Sequence, residues 1–177
     1  MTVPSCAAHN NGNSKDVEYT RGILVSAARL GPESEPVFKK LMRSFDRAPS
    51  LIERTYPDLR QIHYRGGETA TFSVDLKRVT RVMTAIAQAL HYRDFQIKIR
   101  RWEMFCPSFH TETSLSGAPD PWEPLRRTTL KPHYDYQPTE QPEVFHYGRA
   151  GLGERRWVYQ FVFYGAVIVN AWPSRRI

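Results

Sequence analysis

Cysteine is almost missing from this chain. Cys6 and Cys106 are the only two in 177 residues, and they stand far apart. Such a pair makes no disulfide framework of the kind that holds small secreted domains together. Long apolar runs are missing too. The longest candidate, GAVIVNAW, falls well short of the roughly 20 residues that cross a bilayer and reads as a strand. The first residues are polar and show no signal-peptide core, so a cytoplasmic protein with no membrane association is expected. No glycine-rich phosphate loop, serine nucleophile elbow, paired catalytic carboxylates or internal repeat can be picked out.

Cationic charge and enough apolar residues for a core are present. Hydrophobic residues make up 41% and charged residues 24%, a balance that supports a packed interior rather than disorder. The formal charge is +7 and the pI about 9.6. That balance favours anionic partners, chiefly nucleic acid, although many basic proteins bind none.

Along the chain, residues 1–13 read as a strand end and a turn. Ser14 is a good N-cap for a helix over Lys15–Leu30, with Asp16 and Glu18 in its first turn, where carboxylates suit the helix dipole. Gly22 in its middle lowers helix propensity and suggests close packing, and Gly31-Pro32 stops it. A second helix is expected from Ser34 to Arg47, with Val37, Leu41, Met42 and Phe45 as its buried stripe. Its other face carries Lys39, Lys40, Arg43 and Arg47, either a solvated face or one that tracks phosphates. A short helix, SLIERTY, follows. RQIHYRGGETATFSVD reads as a hairpin about Gly66-Gly67.

Asp75 caps the clearest helix, LKRVTRVMTAIAQALHY. Leu76, Val79, Met83, Ile86 and Leu90 recur at three- and four-residue steps and predict a core stripe, with Lys77, Arg78 and Arg81 mostly opposite. FQIKIRRWEMF (95–105) reads as a strand. Residues 106–142 hold more than half of the chain's 13 prolines and read as a long irregular loop. Three antiparallel strands then close the chain: EVFHYGRA, RRWVYQFVFY and AVIVNAW. The expected class is α+β: N-terminal helices, then a long amphipathic helix packed on a mostly antiparallel sheet.

One short stretch points to chemistry. In VPSCAAHNNGNSKD, Cys6-x-x-His9 has the spacing at which two side chains turn toward one zinc ion, but a structural site needs four ligands, so this is half a site. TVPSCAAHNNGNSKDVEYTRG resembles the second half of the zinc-knuckle, HNH-type endonuclease motif. It is similar in particular to bacterial proteins with a VPxCxxCNxxxSKDxEYxR segment, which carry a Cys-x-x-Cys and an EH or DH pair upstream. The helix ending in ALHYRDF and the closing WVYQFVFYGAVIVNAW resemble the C-terminal part of those proteins. The likeness is sharp over about 20 residues and loose over most of the chain.

The resemblance implies Cys6 as the first knuckle ligand, His9 in place of the second cysteine, and Asn10 at the last position of the HNH motif, as a metal ligand or substrate-orienting group. Ser14, Lys15 and Asp16 match the SKD that opens the helix, although capping alone explains Ser14 and Asp16. The implied activity is metal-dependent hydrolysis of DNA, with zinc in the knuckle and magnesium or manganese at the scissile phosphate. HNH chemistry also needs an upstream histidine as general base, and only Met1 to Ser5 precede Cys6. Three explanations stand: a truncated gene or misplaced start, a degenerate relative keeping the accessory region, or a site completed by Cys106, His110, His133 or a second copy of the chain.

The sequence thus divides into 1–31, a partial HNH-like segment with its helix, and 32–177, an α+β accessory domain. As 177 residues it is expected to be inactive as a nuclease. The alternative is a non-catalytic nucleic-acid- or protein-binding domain, using Lys39, Lys40, Arg43, Lys77, Arg78 and Arg81 on nucleic acid. His63 and His146 read as structural or surface residues, and His91 as a dipole-matched helix end. Asp135 near His133 is a weak metal pair. Trp102, Trp157, Tyr159, Phe161 and Phe163 read more readily as a sheet's core face than as a base-stacking platform.

Overall fold

The computed structural model describes residues 7–28, 31–64, 67–109, 134–151 and 157–174, and for 7–13, Tyr64 and Thr69 the backbone alone. The fold is α+β. Helices α1 (Ala7–Ala27), α2 (Glu35–Arg47) and α3 (Ser50–Thr55) come first. A two-stranded hairpin follows, β1 (Arg60–Tyr64) with β2 (Gly67–Thr71), and then α4 (Leu76–Phe95). The remaining strands are β3 (Trp102–Phe105), β4 (Asp135–Gln137), β5 (Phe145–Gly151), β6 (Trp157–Phe163) and β7 (Val167–Pro173). They form one antiparallel sheet in the order β3-β7-β6-β5-β4. Among the described residues no helix is long and apolar enough to cross a membrane.

α4 starts where the sequence places it, because the Asp75 carboxylate accepts from the backbone N–H groups of Lys77 and Arg78 at 3.0 and 3.2 Å. Its buried face is Val79, Met83, Ala87, Leu90 and His91. Leu76, expected in that stripe, is 59% exposed. It occupies the first helical position, one turn before the face reaches its packing partners. The helix also runs past Tyr92 to Phe95, whose ring stacks on Trp157 at 5.0 Å, before Gln96 closes it in the left-handed conformation (φ 55°).

That extension shortens the strand expected over 95–105. Trp102–Phe105 pairs with β7, whose Pro173 lies opposite Trp102, and among the described residues no strand stands beside those before Trp102. The proline-rich stretch in turn yields a strand that the pattern did not predict. Asp135–Gln137 adds an edge to β5, a place where flanking prolines are tolerated. The rest of 110–133 and the turn expected at Gly151-Gly153, apart from Gly151 itself, lie outside the described residues. In the first hairpin the two-residue connection is 65–66, and Gly67 (φ 121°) pairs with Tyr64.

At the start of the chain the backbone is helical from Ala7, so residues 7–13 are not a strand end and turn, and Ser14 lies inside α1 rather than capping it. Once the packed part of a helix is formed, each added residue costs only its modest propensity, so His-Asn-Asn-Gly-Asn can extend it.

The core lies between α4, α1 and one face of the sheet. Met83, Ala87, Tyr159, Phe161, Val167 and Ala171 are fully buried there. Tyr19, Ile23, Leu24 and Ala28 of α1 join the same cluster, as do Phe45 and Tyr56. The described part of the 1–31 segment therefore shares its core with the 32–177 segment. Trp102, Tyr159, Phe161 and Phe163 are core residues, as a sheet's apolar face requires, and Trp157 is half-buried against Phe95.

Candidate nucleic-acid interface

A groove of about 470 Å³ lies where α1, α2 and α3 meet. Its floor is apolar: Gly22 and Val25 of α1, Leu41 and Phe45 of α2, Leu51 of α3. Its exposed lining residues are Lys15, Glu18 and Arg21 of α1, Lys40 of α2 and Arg54 of α3. Lys15, Glu18, Gly22 and Val25 recur at three- and four-residue steps, which places them along one face of α1. Among the described residues, Lys15, Arg21, Lys40 and Arg54 make no ion pair. Four cations thus surround an apolar floor, with Glu18 as the one carboxylate lining it.

One wall of the groove is fixed by a clamp between α1 and α4. The Asp16 carboxylate accepts from Nε of Arg78 and Nε of Arg81, each at 2.7 Å, and its side chain is 13% exposed. Hydrogen bonds from Arg81 and then Arg78 hold the Asp16 carboxyl below its ordinary value of 3.8. Arg78 also donates to the Lys15 carbonyl at 2.7 Å and lies over the Tyr19 ring at 4.1 Å. The Tyr19 hydroxyl accepts from the Asp75 backbone N–H at 2.8 Å, which ties the capping loop of α4 to α1.

The cations expected to contact nucleic acid therefore separate. Arg78 and Arg81 are engaged by Asp16. Lys39 pairs with Glu35 at 2.6 Å, but both side chains are more than half exposed, and such a pair contributes little. Lys40 lines the groove, and Arg43 and Lys77 are exposed. Arg21 and Arg54 were not singled out by the sequence pattern, and Lys15 only as part of the SKD match. The signal was the α1 face through Gly22, which is visible only once the helix is drawn and α2 and α3 are laid against it.

Among the described residues the histidines and Cys106 do not gather. His9 and Asn10 lie on the backbone of α1, and Cys6, His110 and His133 lie outside the described residues. The Cys106 thiol donates to the Ile168 carbonyl at 3.1 Å, and His63 lies 3.4 Å from the Glu68 carboxylate in the exposed hairpin. His91 is not a dipole-matched surface residue. It is 1% exposed, ringed by Phe95, Trp102 and Tyr159, and its Nδ1 lies 3.2 Å from the Tyr159 hydroxyl. Burial holds it below the ordinary histidine value, so the ring is neutral and carries no charge toward the helix end.

Among the described residues no three His, Cys, Asp or Glu side chains come together in a way that could hold a metal ion. The described residues thus supply no such site for zinc, magnesium or manganese. No protein-family model, curated protein or solved structure matches the chain.

Proposed function

We propose that the chain is a nucleic-acid-binding accessory domain that holds phosphate backbone along the groove between α1, α2 and α3. The observation that carries this reading is the rim of Lys15, Arg21, Lys40 and Arg54, four cations without carboxylate partners among the described residues. A cation already paired gains little by meeting a phosphate, whereas an unpaired one releases a counterion from the nucleic acid and gains affinity by it. Arg43 on the exposed face of α2 extends the same basic surface.

Four phosphate contacts set a salt dependence. The logarithm of the binding constant should fall with the logarithm of salt concentration with a slope of about −3.6 on duplex DNA, and about −2.8 on a single strand. Arg54→Gln or Lys40→Gln should each lower the slope by about one contact's worth. No binding at low salt, or binding that ignores salt, sinks the proposal.

A second reading, DNA hydrolysis of the HNH type, draws on the placement of Asn10. It stands on α1 five residues before Lys15, about 7.5 Å along the helix axis, so a hydrolytic centre there would adjoin the groove. Plasmid cleavage with magnesium or manganese that is lost in Asn10→Ala would establish that reading. Binding without cleavage supports the accessory one.

A further inference from the structure

The groove has a feature that phosphate tracking does not use. A surface that only neutralises a backbone needs cations and no apolar floor, yet here they ring a hollow whose floor is Gly22, Val25, Leu41, Phe45 and Leu51. An apolar floor contributes nothing to a phosphate, and a phosphate pressed onto it would lose hydration with no hydrogen bond in return. Something apolar that arrives attached to anions would use both parts at once.

We infer that the groove takes one unstacked base of a single strand on its floor, while the phosphates on either side meet the rim cations. This rests on the nucleic-acid reading above and names the form of substrate. The volume, about 470 Å³, falls within the roughly 300–1,000 Å³ of small-molecule pockets. It therefore suits a single nucleotide unit. A duplex keeps its bases stacked inside and can offer the floor nothing. An extruded or single-stranded base is held between aromatic or apolar side chains in other proteins that bind bases this way. Here the half-buried side chains of Leu41 and Leu51 would do so, over the buried Val25. Gly22 sets the depth. It is buried, and a methyl group placed on it would stand 3.7 Å from Thr55 Cγ2 and 3.9 Å from the Leu41 methyls. A small side chain there is accommodated, but a large one would occupy the floor.

The charge pattern favours this occupant over an acidic amphipathic peptide. The cations come from three different elements, α1, α2 and α3, and surround the hollow, as a backbone running in and out of it requires. A helical peptide is held instead by a row of apolar anchors at i, i+3, i+4 and i+7.

The test compares labelled oligonucleotides of equal phosphate charge on the intact chain by fluorescence anisotropy. A thymidine strand of about a dozen units should bind roughly tenfold more tightly than the same strand made entirely of abasic units. The ratio should persist as salt is raised, while both affinities fall. Duplex DNA should bind no better than the abasic strand. Gly22→Leu should abolish the preference for the thymidine strand over the abasic one. If that variant fails to fold, the abasic comparison on the natural chain decides alone. Equal affinity for the two strands overturns the base-docking inference and leaves phosphate tracking standing. Failure of every strand and duplex to bind at low salt overturns both. Displacement of the thymidine strand by a Glu/Leu amphipathic peptide that binds more tightly assigns the floor to a protein partner and also overturns the inference.

Discussion

Gly148→Ala tests whether the short edge strand β4 is an integral part of the sheet. Gly148 lies in the middle of β5, opposite Tyr136 of β4 and Gln160 of β6. A methyl group there would come within 2.6 Å of Tyr134 Cβ and 3.0–3.1 Å of the Tyr136 ring. Carbon atoms rest about 3.5–4.0 Å apart, so Tyr134 must retreat by about 1 Å. Its Cβ is fixed to the backbone and cannot swing aside. If the strand stays and strains, overpacking costs about 1–3 kcal/mol. If β4 lifts instead, two hydrogen bonds go: Tyr134 hydroxyl to Asn170 Oδ1 at 3.2 Å, and Tyr136 hydroxyl to Gln160 Oε1 at 2.5 Å. Asn170 is fully buried and Gln160 nearly so, and each lost bond of that kind contributes about 1 kcal/mol. The two routes bracket a loss of about 1–3 kcal/mol, about 2 kcal/mol at the centre. For a chain of this size about 2 kcal/mol lowers Tm by about 4–8 °C. Urea and thermal unfolding followed by circular dichroism measure it. A Gly148→Ala protein within about 0.5 kcal/mol of the natural one would refute the packing of Tyr134 and Tyr136 over this glycine.

The other glycine argument runs in the opposite direction. Gly22→Ala should stabilise the protein by about 0.5–1 kcal/mol, since the helix gains propensity and the new methyl meets only ordinary contacts; a loss of stability in urea unfolding would show that α1 needs the close approach after all. His91 is held neutral by burial, so below about pH 6.5 the unfolded chain binds more protons than the folded one. Its contribution is full above that pH and is lost as pH falls, by up to about 1.4 kcal/mol per pH unit; in His91→Phe this part of the slope should vanish, and an unchanged slope would place the acid sensitivity elsewhere. Asp16, whose carboxyl is held below its ordinary 3.8, acts in a lower window: its stabilisation is present above that value and fails as pH falls through it. Arg78→Ala should shift the urea midpoint more than Arg81→Ala, because Arg78 adds the Lys15 carbonyl bond and the Tyr19 ring to the shared carboxylate; equal shifts would make Asp16 the whole of the clamp.

The elements with periodic patterns or explicit caps were legible in the sequence. The α4 stripe, the Asp75 cap, the first hairpin and the three closing strands all follow from local rules. What local rules missed depended on partners. Residues 97–101 alternate like a strand but lie where β7 has already ended. Asp135–Gln137 lies among prolines but finds an open edge on β5. His91 stands at a plausible surface position near a helix end, and only the packing of Trp102 and Tyr159 onto α4 buries it. The groove was half legible: the basic face of α2 could be read, but the contributions of α1 and α3 depend on how three helices converge.

That convergence changes what the charge of +7 means. A count of lysines and arginines ranks Arg78 and Arg81 with Lys40 and Arg54, but the four are not equivalent. Asp16 engages the first two, offsets one of their two charges and turns them into the tie between α1 and α4. A phosphate approaching them must compete with a carboxylate that is already in place at 2.7 Å. Among the described residues Lys40 and Arg54 face no such competitor. The clamp and the groove thus divide the work along α1. Asp16 fixes the helix to α4, and Lys15 and Arg21 on the neighbouring faces stay open to a ligand. Removing the clamp should loosen the fold before it weakens binding, whereas removing a rim cation should weaken binding and leave the fold unchanged. A substitution at Arg54 that lowered stability as much as one at Arg78 would show that this division is wrong.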